Sequence, residues 1–167
     1  MPEAITTLNA ELTLFDRAEE AFALLETFLE VARPQISSAR LDPVHLALPA
    51  EMTDDRVVVQ GLIDAISNEP PRKRRFLEGD EREYDLGDDQ ARWDFTRLAY
   101  CSIAATVWSE SRSTTYFEVN DQTSATYWLP DSLKAQYFDA ITAKGWAIPE
   151  NWLTAISKTP KPWWRRF

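Results

Sequence analysis

The chain has 167 residues, enough for one domain whose core needs no disulfide or metal staple. Apolar residues make up 44% of it and aromatic residues 12%, which excludes a disordered chain, and its one cysteine excludes an internal disulfide. A formal charge of -9 argues against general nucleic-acid binding, which needs a surplus of Lys and Arg facing phosphate.

The N-terminal residues Met1 to Thr6 lack the basic and apolar regions of a secretory signal. No stretch reaches the roughly 18 apolar residues of a membrane helix. A soluble, cytoplasmic protein without membrane contact is therefore expected. Phe15, Ala18, Phe22, Leu25, Leu29 and Ala32 recur every three or four residues and predict a surface helix from about Asp16 to Ala32. Thr13 followed by Asp16 resembles a capping box, and Pro34 marks the stop. The run Val44-His45-Leu46-Ala47-Leu48, between Pro43 and Pro49, reads as a short strand or an extended core-filling segment. A second helix is expected from Thr53, with Thr53 or Asp54 as N-cap. Val58, Leu62 and Ile66 form its buried face, with Val59 and Ile63 beside them. The Val57-Val58-Val59 run also suits a strand.

The composition then changes. Arg72-Lys73-Arg74-Arg75 precedes the acids Glu78, Asp80, Glu81, Glu83, Asp85, Asp88 and Asp89, with Gly79 and Gly87 interrupting. No helical or strand period survives, so residues 71–89 are expected to be an exposed charged loop. Asp88 or Asp89 caps the most apolar helix, predicted to run to about Ser109 through the centre of the domain, its second half alternatively a strand. Thr115–Val119 and Ser124–Leu129, joined by a polar turn, predict a hairpin. A last helix is expected from Asp131 to Lys144, with Leu133, Tyr137, Ala140 and Ile141 inward and Gly145 as its stop. Trp146, Ile148, Trp152, Leu153 and Ile156 suggest a short packed segment before the aromatic and basic tail. The fold class expected is α+β. Residues 1–167 form a single domain with four helices packed on a small antiparallel sheet that includes a hairpin near 114–129.

The residue types that usually carry chemistry are nearly absent. The four glycines form no phosphate-cradling loop, and neither a nucleophile elbow nor a paired His or Cys metal motif exists. His45, between Val44 and Leu46, reads as a buried or half-buried structural residue, and Cys101 as a small hydrophobe. The acid run does not match the Asp-x-Asp-x-Asp-Gly calcium loop, and with so many acids any carboxylate pair can be nominated as acid and base. No catalytic residue, metal or cofactor is assigned.

Binding is the stronger expectation. A dense carboxylate strip imitates a nucleic-acid backbone and meets a basic groove by electrostatic steering. Trp163 and Trp164 offer hot-spot residue types; alternatively, the tail folds back on the hairpin. The partner-binding residues expected are Glu78, Glu81, Glu83, Asp80, Asp85, Asp88, Asp89, Trp163 and Trp164. The other five Trp residues read as core. The overall profile (compact, acidic, aromatic, without catalytic motifs) is similar to that of small bacterial immunity proteins. The function expected is a non-enzymatic inhibitor that occludes a basic toxin or effector. The alternatives are an acidic secretion chaperone or adaptor, and a carboxylate-dependent hydrolase.

Overall fold

A computed structural model describes residues 3–69 and 81–158. The chain opens with a strand, β1 (Ile5–Glu11), whose Thr6, Leu8 and Ala10 are buried while Thr7, Asn9 and Glu11 are exposed. Helix α1 (Ala18–Val31) follows, then β2 (Ser38–Leu41), α2 (Arg56–Ser67), β3 (Arg82–Asp85) and α3 (Asp89–Leu98). Beyond these come β4 (Ala104–Trp108), β5 (Thr115–Asn120) and β6 (Ser124–Pro130). The described chain closes with α4 (Asp131–Ala143), the single turn α5 (Glu150–Leu153) and β7 (Ser157–Lys158).

The architecture is α+β, but the sheet is not small. Among the described residues, seven antiparallel strands pair in the order β3-β2-β4-β5-β6-β1-β7. The expected hairpin is its β5–β6 unit, with Asp121 and Gln122 in the left-handed conformation at the turn (φ 53° and 63°). Both lie in the three-residue connection between Asn120 and Ser124, where the Thr123 amide donates back to the Asn120 carbonyl.

One face of the sheet is buried under helices. Ala39, Leu41, Ala105, Val107, Phe117, Val119, Ala125, Tyr127, Leu129 and Leu8 alternate onto it. Helix α1 packs there through Phe22, Leu24, Leu25, Phe28 and Leu29, a wider buried face than the single stripe expected. The centre is aromatic: Tyr127 lies 5.2 Å from Phe28, 4.8 Å from Phe117 and 5.2 Å from Trp152, ring to ring and edge-on. Such edge contacts add favourable electrostatics to the buried area. The polar tips are satisfied inside: the Tyr100 and Tyr127 hydroxyls share a 2.9 Å hydrogen bond, and Tyr137 Oη donates to the Leu24 carbonyl. Trp152 Nε1 donates to the Asn9 carbonyl, so α5 covers part of the β1 edge that the two-residue β7 leaves unpaired.

Several expectations are corrected. The apolar helix ends at Leu98, not Ser109; a 3-10 turn (Ala99–Cys101) follows, and Ser102 turns the chain into β4. Its buried hydroxyl donates to the carbonyls of Asp42 or Ala104. Ala105 and Val107 then face the core with a period of two, and this decides for a strand. His45 is exposed, not buried, and sits at φ 63° in a turn rather than a strand. Helix α2 begins at Arg56; neither Thr53 nor Asp54 caps it, and it buries Val59 and Ile63 while Val58 is 49% exposed. Helix α1 likewise starts later than expected and has no capping box. Within the expected loop, Arg82–Asp85 is an edge strand that points Tyr84 into the core.

Candidate functional site

Glu78, Asp80, Trp163 and Trp164 lie outside the described residues, as does the Arg72–Arg75 cluster. The remaining acids of the strip are exposed, as expected, but each is engaged. Glu81 and Glu83 both bind Arg40, the latter at 2.9 Å, and Glu83 also takes Arg112 at 3.1 Å. Asp85 accepts from the Gly87 amide at 2.8 Å, and Asp88 caps α3 by accepting from the Ala91 amide at 2.7 Å. Asp89 pairs with Arg92 at 2.8 Å and lies 3.8 Å from Arg33. The strip is thus less a free carboxylate array than a set of turn, cap and ion-pair ligands.

The pairing also sets protonation. The hydrogen bond from Arg112 is the largest influence on the Glu83 carboxyl; burial opposes it, and the Arg40 hydrogen bond and the two positive charges tip the balance to a pKa below its ordinary value. Burial alone would lower the Arg40 value, but the Glu81 and Glu83 carboxylates outweigh it and raise it. Both guanidiniums also lie over the Trp108 ring, at 5.3 Å for Arg40 and 5.8 Å for Arg112. A cation over an indole face is attracted by the ring quadrupole.

Trp108 marks the second face of the sheet. The strand register builds one polar row across six strands: Asn9, Thr126, Glu118, Thr106, Arg40 and Glu83. Beside it runs an aromatic row. Thr7 pairs with Trp128, and Tyr116 precedes the Phe117 that pairs with Tyr127, which sets Tyr116 beside Trp128. Across a bulge at Val107/Trp108 the same row continues through Trp108, Ser38 and Asp85. Trp108 and Trp128, expected in the core, are instead half-buried on this face, because Val107 and Tyr127 occupy the inward positions next to them. Among the other Trp residues read as core, Trp152 is fully buried and Trp146 packs against the core. Trp93 is half-buried under the Arg97 guanidinium at 4.3 Å.

Two details sharpen the face. Its β3 border carries Glu83 and Asp85, so acids of the strip and the aromatic row share one surface. Glu118, at the middle of the polar row, is half-buried, and its carboxylate has no hydrogen-bond or ion-pair partner among the described residues. Sequence reasoning missed Glu118, Tyr116, Trp108 and Trp128 as site residues. The available signal was the alternation in Ser124–Leu129 and Ala104–Trp108, which assigns each aromatic to one side once the inward set is known.

Elsewhere, Cys101 is buried and its thiol is pushed up to about 12 by desolvation, so it is no thiolate nucleophile. Asp131 is lowered by hydrogen bonds from Ser157 and then Thr6, which tie β7 and β1 to the start of α4. No known protein family, curated protein or solved structure matches this chain.

Proposed function

We propose that this chain is a non-enzymatic protein-binding protein, an immunity-type inhibitor that occludes a basic toxin or effector with the outer face of its sheet. The observation that carries the reading is the juxtaposition of Trp108, Tyr116 and Trp128 on one row with the acids Glu83 and Asp85 at its end. Trp and Tyr are the residue types that dominate binding energy at interface centres, and charge at the rim governs encounter rate. The net charge of -9 supports a basic partner. A carboxylate hydrolase, by contrast, needs a general acid with a raised pKa. Glu19, Glu83 and Asp131 all shift downward.

The test is site-specific photo-cross-linking in the native host. A benzophenone amino acid in place of Trp128 is expected to capture a basic protein that the same group in place of Gln60, exposed on α2, does not. Equal capture from both positions, or an acidic partner captured at position 128, overturns the reading.

A further inference from the structure

We infer that the outer sheet face is built to receive an arginine side chain of the partner, with Glu118 as the residue that selects it. The inference rests on the protein-binding reading above and adds the chemistry of the contact.

The chain itself displays the arrangement once. At one end of the face, two guanidiniums lie over the Trp108 indole and are held by the Glu83 carboxylate. The middle of the face repeats the aromatic and carboxylate parts without a cation among the described residues. Glu118 is two residues from Tyr116 on β5, and its cross-strand partner Thr126 is two residues from Trp128 on β6. Residues so placed on one face are diagonal or same-side neighbours within reach of long and aromatic side chains. Among the described residues, the group missing from this half is a cation.

Two facts about the described residues support an external group. Arg40 is the nearest cation along the row, beyond Thr106, and it is committed to Glu81 and Glu83. Thr106 and Thr126, directly opposite Glu118 on the flanking strands, bring hydroxyls and no charge. A half-buried carboxylate beside aromatic residues is most improved by a planar, weakly hydrated cation that stacks and forms two hydrogen bonds. Guanidinium fits this better than the compact, strongly hydrated ammonium of lysine.

The experiment titrates the full chain with acetylated hexa-arginine, with hexa-lysine and hexa-glutamate as comparison peptides, at physiological ionic strength. Indole N–H resonances report the site. The arginine peptide is expected to bind saturably, shift the Trp128 and Trp108 signals, and bind more tightly than the lysine peptide. Glu118→Gln, which keeps size and shape, is expected to weaken it by about tenfold, the size of one charge-assisted pair. Asp139→Asn, exposed on α4 on the helix side of the sheet, is expected to change it by less than about threefold. Equal affinity of wild type and Glu118→Gln, shifts confined to the Trp93 or Trp152 signals, or no binding at all overturns the inference. If position 128 still cross-links a basic partner, and that partner binds Glu118→Gln as tightly as wild type, the face reading stands and the arginine contact falls.

Discussion

Glu19 ties down the segment in which the sequence places the N-cap of α2. Its Oε1 accepts the backbone N–H groups of Thr53, Asp54 and Asp55 at 2.8, 2.7 and 3.2 Å, just ahead of α2. These amides cluster where the helix dipole is positive, and a carboxylate there is favoured on both counts. Burial raises the Glu19 pKa, but the backbone hydrogen bonds together outweigh it and leave it below its ordinary 4.5. A carboxyl with a lowered folded-state pKa contributes stability above its unfolded value and loses it as pH falls through the folded one. Glu19→Gln keeps an acceptor and removes the charge. It is expected to cost about 1–2 kcal/mol at neutral pH, the worth of hydrogen bonds to a charged group. The gap to wild type should narrow once pH drops below 4.5, as urea titrations at several pH values will read. A gap that stays constant into strong acid would mean that shape, not charge, holds the segment before α2.

Between elements, the junction most open to test is the hydroxyl pair that joins Tyr100, in the turn after α3, to Tyr127 on β6. Both residues are fully buried, so either hydroxyl left alone keeps its desolvation cost without its bond. Tyr100→Phe and Tyr127→Phe should each destabilise by about 1–3 kcal/mol, while the double variant should cost far less than their sum. Additive losses in denaturant melts would show that water or another group satisfies the orphan. The same junction explains where sequence reading succeeded. Helices α1 and α4 and the β5–β6 hairpin show their period over many residues, and all were legible. Strand β1 was not, since the polar Thr6 stands at an inward position, held by Asp131 and Ser157 from the far end of the chain. Four-residue β2 and β3 are too short to show a period, and charge on β3 hides the inward Tyr84. The α3–β4 boundary was blurred because both sides are apolar, and only contact with β2 and β5 makes one of them a strand.

At the scale of the whole molecule, the question is what the acid strip does, since its exposure was legible and its engagement was not. The cations that hold Glu83 stand 43 and 29 residues away in the chain, and no local pattern announces them. A strip tied to its own arginines contributes to the long-range field without offering bare carboxylates at contact. The field acts on encounter, whereas close contacts act on the lifetime of the complex. The triple substitution Glu81→Gln, Glu83→Gln and Asp85→Asn removes three of the nine net negative charges, and the amide introduced at position 85 retains a side-chain oxygen to accept from Gly87. Partner association should then slow several-fold at low salt, and the difference should fade as ionic strength rises past about 0.15 M, where screening reaches about 8 Å. Dissociation should change little. Glu118→Gln should do the reverse, leaving the salt dependence nearly intact and speeding dissociation, because one charge in the middle of the face adds little to the field and much to the contact. Stopped-flow association and surface-based dissociation measured on the cross-linked partner separate the two. If the triple substitution instead shortens the complex's lifetime and leaves its formation rate untouched, the strip is itself the contact, and Arg40 and Arg112 must release Glu83 when the partner arrives.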